Sequence, residues 1–180
     1  MNKAEVYRVV DSDDWGMTYA RIAKAVLDIF EVAKESNLLR SQDTGGVLLL
    51  GLEGMLDDGD EPSVAIVGQP RRFTVEESYQ VAVEKWLRLY HRPPGHVSAW
   101  ESRDPEADPK RWGGGIVAGA NEEYQEYGYI LSFSGFSEHL DEALVTVAAW
   151  ICGLIGMQAY GSIISISDNP LTNQLYNAVV

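Results

Sequence analysis

Cysteine and basic residues are scarce in this sequence, and long apolar runs are missing. The single cysteine among 180 residues is Cys152, so the chain cannot close an intramolecular disulfide or build a cysteine-based metal site. A protein without disulfides is typical of a reducing compartment, which predicts a cytoplasmic location. Residues 1–6 lack the apolar stretch of a signal peptide, and we therefore expect no secretion.

The apolar runs and the charge balance exclude two classes of partner. The longest apolar run, from Leu144 to Met157, is shorter than the ~20 residues that span a membrane, so we expect no membrane partner. Lysine and arginine number 14 against 27 aspartate and glutamate residues, which gives a net charge of −13. Because a charge of this sign repels phosphate, the sequence predicts no nucleic-acid partner.

The composition is that of a folded globular domain. Hydrophobic residues make up 46% and charged residues 23% of the chain, and both values are close to the globular average. The length lies near that of an ordinary domain. We expect a single domain over residues 1–180, without internal repeats.

Three segments repeat apolar residues with the period of an α-helix. We expect the first to be capped by Thr18 or Asp14, the second to begin at a capping box at Thr74, and the third to begin after Ser137 and end at Gly156. The predicted buried faces are Ile22, Val26, Ile29, Phe30 and Ala33 in the first helix, Tyr79, Val83, Trp86, Leu87 and Tyr90 in the second, and Leu140, Leu144, Val147, Ile151 and Leu154 in the third. The third helix is apolar beyond this face, and a partner subunit would cover the excess, which predicts a homo-oligomer.

Short apolar runs between these helices predict β-strands in pairs. The runs cover residues 47–50, 63–67, 113–118 and 128–133, with a turn inside each pair. A further short strand is expected over residues 161–167, followed by a final helical turn or two after Pro170. Residues 101–111 are polar and predict an exposed loop. Strands joined by turns favour an antiparallel sheet, so the predicted fold class is α+β, with amphipathic helices covering the sheet.

Two clusters of residues could bind a metal or an anion, and for each of them a purely structural role is the alternative. His91 and His96 flank the turn at residues 93–94 and could share a metal or a pocket, although structural roles at a helix end and in a loop are favoured. Residues 113–115 are three glycines that lack the rest of a dinucleotide motif. Their N–H groups could hold an anion, whereas a bulge at the start of a strand is the favoured alternative. Ser134 has no nucleophile elbow around it, so we assign no catalytic and no metal-ligating residue.

One pattern combines three features: a glycine pair before one predicted strand, a glycine after the next strand, and the start of the helix that follows. The matching positions are Gly114, Gly115, Ser134, Gly135 and Asp141. This pattern resembles the GlcG/HbpS-like family, which includes haem-binding members, and the resemblance extends over about residues 17–155. It implies a profilin-like antiparallel sheet, a homo-oligomer, and a small molecule or haem as ligand. No histidine falls on the shared motif, so no haem ligand is carried over and the cofactor stays unknown.

The leading hypothesis is a non-catalytic, homo-oligomeric domain that binds a small molecule through these five residues. In that case Gly114→Ala is expected to weaken the ligand while changing the free energy of unfolding by no more than about 1 kcal/mol. The first alternative is an acidic interaction protein that docks a basic partner. A less favoured alternative is an enzyme that works through His91 and His96.

Overall fold

The computed structural model describes residues 15–70, 72–104, 106, 112–119 and 128–180. In chain order the elements are α1 (Trp15–Glu35), β1 (Gly45–Leu52), β2 (Ser63–Gly68), α2 (Arg72–Tyr90), a 3₁₀ helix (Ala99–Ser102), β3 (Gly115–Ala118), β4 (Tyr129–Ser134), α3 (Glu138–Ile151), α4 (Met157–Ser167) and α5 (Pro170–Val179). Among these described residues no helix is both long enough and apolar enough to cross a membrane. The turn predicted between β3 and β4 and the predicted cap Asp14 lie outside the described residues.

The four strands form one antiparallel sheet in the order β2-β1-β4-β3. Both predicted hairpins are present, β1 with β2 and β3 with β4. They join through the two central strands, where Val47 lies opposite Ser134. The outer edge of β3 is met by the preceding chain, because the Val117 N–H donates to the Val97 carbonyl at 2.8 Å. The predicted α+β class with an antiparallel sheet is confirmed.

Alternate residues of β1 point to opposite faces of the sheet, and helices cover both faces. Leu48 and Leu50 pack with α1 and α3 in the larger core, whereas Val47 and Leu49 pack with α2 in the smaller core. Burying an aliphatic side chain contributes about 1.5–3 kcal/mol, and all four are buried. This explains why β1 is a continuous apolar run, since a strand buried on both faces needs apolar residues at every position.

The buried face of α2 is rotated about the helix axis relative to the predicted face. Tyr79 and Leu87, which were predicted to lie in the core, are 44% and 39% exposed. Over residues 75–90 of this helix, the buried residues are Ser78, Ala82, Lys85, Trp86 and Leu89. They repeat with the same helical spacing, but the lysine in the middle of the face makes it less apolar than the predicted one. Lys85 can be buried because it has an acidic partner on α3.

The chain after α3 is helical, and the strand predicted over residues 161–167 is wrong. These residues belong to α4, because Tyr160 and Ile163 join the larger core together with Leu175 of α5. The rings of Trp150, Tyr160 and Tyr176 also meet here, with centroids 5.2 to 6.2 Å apart. The helix expected after residue 170 is present as α5. The chain itself therefore covers the apolar excess of α3, and the homo-oligomer prediction loses that support.

The ends of the helices also differ from the predicted ones. Thr18 lies buried inside α1 and is not its cap. The second predicted helix begins earlier, at Arg72. After α3 ends at Ile151, the chain turns at Gly153, whose φ of 74° suits a residue without a side chain. Gly156, predicted to stop α3, instead precedes α4.

The exposed loop predicted over residues 101–111 is present only in part, since Asp104 and Glu106 are exposed whereas residues 101–103 are half-buried. Glu101 belongs to the 3₁₀ helix, which Ser98 caps. The Ser98 hydroxyl accepts the Trp100 N–H at 3.2 Å, while the Glu101 carboxylate accepts the Ser98 N–H at 2.9 Å. This reciprocal capping box orders the segment. Residues 105 and 107–111 lie outside the described residues.

Candidate functional site

Two of the five residues predicted to bind a ligand, Gly114 and Asp141, are in direct contact. A Cβ built on Gly114 would lie 2.6 Å from the Asp141 Cβ and 2.9 Å from the Lys85 Nζ. Gly114 also has a φ of +99°, a conformation that glycine adopts without strain. The expectation that alanine at this position leaves stability nearly unchanged is therefore wrong, because a methyl group would meet two buried side chains on a strained backbone.

Next to Gly114 lies a buried ion pair between α2 and α3. The Lys85 Nζ lies 2.9 Å from the Asp141 Oδ2 and donates to the Phe133 carbonyl at 2.8 Å. The Asp141 Oδ1 accepts the Phe136 N–H at 3.0 Å. Burial raises the pKa of Asp141, and Lys85 lowers it by a smaller amount. The side chains of Lys85 and Asp141 are 1% and 3% exposed, so the pair connects α2, α3 and the end of β4 inside the protein.

The other three predicted residues pack against the protein's own strands and helices. A Cβ on Gly115 would lie 2.8 Å from a methyl carbon of Leu89. A Cβ on Gly135 would lie 2.6 Å from the Gly45 carbonyl oxygen, and the preceding Ser134 is buried. The structure therefore does not gather all five predicted residues around one contact.

A cleft of about 700 Å³ lies between α1, residues 39–44 and the end of β2. Its apolar lining includes Leu27, Phe30, Leu39 and Ile66, and its charged lining consists of Glu31, Lys34, Arg40 and Asp43. Phe30 stacks on Phe136 with centroids 5.8 Å apart and ring planes 3° apart, and Phe136 directly follows Gly135. The predicted strand end at residues 134–135 thus lies behind one wall of this cleft.

Asp43 fixes the orientation of Arg40 at the cleft. The Arg40 Nε donates to the Asp43 Oδ2 at 3.0 Å and its Nη2 donates to Oδ1 at 3.1 Å, which is the two-point geometry of a strong arginine–carboxylate contact. The Asp43 side chain is 4% exposed, whereas that of Arg40 is 58% exposed. The hydrogen bond and the charge of Asp43 raise the pKa of Arg40. The guanidinium therefore keeps its charge, with one edge held by a buried carboxylate.

A second buried carboxylate, Glu142, connects three segments of the chain. Its Oε2 accepts the Ser98 hydroxyl at 2.7 Å, and its Oε1 accepts the Asn169 amide at 3.4 Å. Asn169 also caps α5 by accepting the Leu171 N–H at 3.0 Å. Burial raises the pKa of Glu142, and hydrogen bonds from Ser167, Ser98 and Asn169 lower it by less. In the part of the chain that the structure describes, no ion pair includes Glu142, so its charge is balanced only by neutral donors.

His91 and His139 each pack against an aromatic ring. His91 is exposed, and its ring meets Tyr90 edge-on with centroids 5.1 Å apart. His139 contacts Trp100 with centroids 4.8 Å apart. Within the described ranges there is no group of three or more His, Cys, Asp and Glu residues that could hold a metal ion. Nothing in these contacts joins His91 to His96.

Sequence reasoning missed Lys85, Arg40 and Asp43. For Lys85 a signal exists, because it stands in the middle of an alternative helical face, and a lysine on a buried face needs an acidic partner. For Arg40 and Asp43 no such signal exists. A basic and an acidic residue three positions apart are typical of an ordinary surface pair, and only the fold reveals that the acid is buried.

No family model, curated protein or solved structure matches this chain in comparisons with known proteins. The resemblance to the GlcG/HbpS-like family therefore stays a prediction.

Proposed function

We propose that this protein is a non-catalytic domain that binds a small molecule in the cleft between α1, residues 39–44 and the end of β2. The supporting observation is an opening of about 700 Å³ that combines apolar and charged side chains. Small-molecule sites are typically concave, about 300–1,000 Å³ in volume, and mostly apolar with a few fixed polar groups. Leu27 and Ile66, which are 41% and 61% exposed, supply the apolar surface, and the oriented Arg40 supplies a fixed polar group.

The proposal keeps the GlcG/HbpS-like family as its working assignment, with an unidentified ligand. The order of helix, two strands, helix, two strands and helix from α1 to α3 is compatible with it. The ligand is placed in the cleft and not at Gly114 and Gly115, because protein side chains already contact both glycines. Gly135 stays next to the proposed site, since Phe136 after it stacks on the cleft residue Phe30.

Binding is favoured over catalysis by the pairing of the charged groups in the cleft. Lys34 lies 3.3 Å from Glu31, and Arg40 lies 3.0 Å from Asp43. A general acid or base needs a group that faces the substrate and exchanges a proton with it. Charges that are held in ion pairs suit orientation of a ligand better than proton transfer.

A homo-oligomer is part of the same proposal, and the edge strand β2 supports it. Among the described strands β2 pairs only with β1, and it carries no charged residue between Ser63 and Gly68. Val64 and Ile66 on this strand are 45% and 61% exposed. An uncharged edge strand is a template for pairing with another chain. Light scattering should therefore give a mass above that of one chain, and the mass of a single chain would contradict this part of the proposal.

The cleft is tested by a thermal-shift screen of the wild-type protein and two variants. The library contains haem, flavins, cobalamins and small organic acids. Ile66→Arg places a long charged side chain at the cleft. Leu87→Arg is the matched control, because Leu87 is also an exposed aliphatic residue but lies on α2 and does not line the cleft.

We expect at least one compound to raise the melting temperature of the wild type and of Leu87→Arg, and to lose its effect on Ile66→Arg. A compound that acts equally on all three proteins would place the site elsewhere. A library without any hit would contradict the proposal and favour the alternative, an acidic protein that docks a basic partner.

A further inference from the structure

The guanidinium of Arg40 has two edges that can each bind a pair of oxygen atoms. The edge formed by Nε and Nη2 is occupied by Asp43, at 3.0 Å and 3.1 Å. The edge formed by Nη1 and the second N–H of Nη2 has no hydrogen-bond partner among the residues that the structure describes. A planar carboxylate matches such an edge with two parallel N–H···O bonds.

Arg40 is held in position without a ligand. The Asp43 carboxylate also accepts the backbone N–H of Arg40 at 2.9 Å, and the Asp43 N–H donates to the Arg40 carbonyl at 2.9 Å. These contacts fix both the backbone and the guanidinium, while the side chain of Arg40 stays 58% exposed. A side chain that is already ordered loses less conformational entropy when it binds a ligand. Arg40 is therefore a pre-oriented donor at the cleft that it lines.

Apolar side chains lie in the same cleft as this donor edge. Leu27, Leu39 and Ile66 line it together with Phe30, whose ring is held by its stack on Phe136. Apolar area removed from water contributes about 25 cal/mol per Å². An apolar ligand body would thus provide affinity, and the contact with Arg40 would set its orientation.

The charges of the cleft distinguish between classes of anion. Two cations, Lys34 and Arg40, and two anions, Glu31 and Asp43, line it, so their formal charges cancel. Because Asp43 already neutralises Arg40, a singly charged group is accommodated with less repulsion than a doubly charged phosphate. We propose that the ligand of the cleft is a carboxylate on an apolar body, bound by the free edge of Arg40; this inference rests on the proposed function.

The test compares three probes that share one apolar tail: octanoate, octanamide and octyl phosphate. An NMR titration of the full chain follows the methyl groups of Leu27, Leu39 and Ile66, which report on the cleft directly. We expect octanoate to bind about tenfold more tightly than octanamide, because hydrogen bonds between charged groups are stronger than those between neutral ones. Octyl phosphate should bind more weakly than octanoate.

Two variants connect this preference to Arg40. Arg40→Lys keeps the positive charge but lacks the planar pair of donors, so it should bind octanoate and octanamide with similar affinity. Lys24→Met is the control, because it removes an exposed cation of α1 that does not line the cleft, and it should keep the wild-type preference. Circular dichroism checks that both variants are folded, and the wild-type series decides the ligand class even if a variant is not.

Each result of these titrations tests one part of the proposal. Equal binding of octanoate and octanamide at the cleft would overturn the carboxylate inference and leave the cleft as a binding site. Tighter binding of octyl phosphate would overturn it in favour of phosphate. A preference that survives in Arg40→Lys would remove Arg40 from the site. If neither these probes nor the screened library shifts the cleft methyl groups, the proposed function itself fails.

Discussion

Replacing Lys85 by methionine would remove the positive charge that Asp141 is paired with inside the protein. Methionine is apolar and close to lysine in shape, so the substitution changes charge much more than packing. It leaves the Asp141 carboxylate, which is 3% exposed, with a hydrogen bond from the Phe136 N–H at 3.0 Å. It also removes the donor to the Phe133 carbonyl.

The expected loss of stability is large. Breaking a buried ion pair by removal of one partner typically costs about 3–5 kcal/mol, compared with about 5–15 kcal/mol for the unfolding of a whole domain. The double variant Lys85→Met, Asp141→Leu should recover part of this loss, because it leaves no buried charge. It still leaves the Phe136 N–H without its acceptor, which costs about 1–3 kcal/mol. We therefore expect the two substitutions to be strongly non-additive.

The loss of stability caused by Lys85→Met should also depend on pH. Burial raises the pKa of Asp141, and Lys85 is the largest of the causes that lower it. Without Lys85 the carboxyl of the folded variant binds a proton more tightly than that of the unfolded chain. The variant therefore gains stability as the pH falls from the raised pKa of Asp141 toward the ordinary aspartate pKa. Its free energy of unfolding should be closer to that of the wild type at about pH 5 than at about pH 7.

The test is urea denaturation at these two pH values of the wild type, Lys85→Met, Asp141→Leu and the double variant. Lys24→Met is the control, since it breaks an exposed pair of a kind worth at most about 1 kcal/mol. A loss for Lys85→Met as small as that of the control, or strictly additive effects in the double variant, would refute the idea that the pair is a buried structural link.

Two further predictions concern Gly114 and Glu142. Gly114→Ala should lower the free energy of unfolding by about 2 kcal/mol or more, because its Cβ would lie 2.6 Å from the Asp141 Cβ; Gly119→Ala, which meets open space, is the control, and equal urea midpoints for the two would contradict the contact. In the wild type, the free energy of unfolding should fall as the pH rises from the ordinary glutamate pKa to the raised pKa of Glu142. This loss is about 1.4 kcal/mol for each pH unit between the two pKa values. Glu142→Gln should remove it. Urea denaturation between about pH 5 and pH 8 measures it, exposed Glu76→Gln serves as the control, and parallel pH profiles for the wild type and Glu142→Gln would contradict it.

The sequence predicts the fold class and both hairpins because these depend on patterns that are local in the chain. The apolar run over residues 47–50 lies in a strand, β1, and α1 buries its predicted face. The predicted buried face of α2 was wrong because a search for apolar spacing treats Lys85 as an outward residue. Only the position of Asp141 on another helix makes the burial of Lys85 favourable. Residues 161–167 resembled a strand because three of them, Ile163, Ile164 and Ile166, are β-branched, and packing against α3 overrides that preference.

The candidate site was less predictable than the fold. Gly114 and Asp141, two of the five residues predicted to bind a ligand, contact each other, but a sequence motif does not tell a ligand contact from a packing contact. The cleft depends on how the end of α1, the Arg40 to Asp43 turn and the end of β2 meet in space. None of these three segments contains a motif, so the cleft appears only once the fold is known.

The place of β4 between β1 and β3 has a consequence for how this protein is synthesised. The hairpin of β1 and β2 is complete when the ribosome has added Gly68, but the second neighbour of β1 is finished only at Ser134. At about 5–20 residues per second this interval lasts about 3–13 s. During that time the apolar strand β1 has one open edge, on which nascent chains can pair with each other. Yield in a recombinant host should therefore depend on chaperone supply and translation speed between these two hairpins more than on the stability of the finished protein.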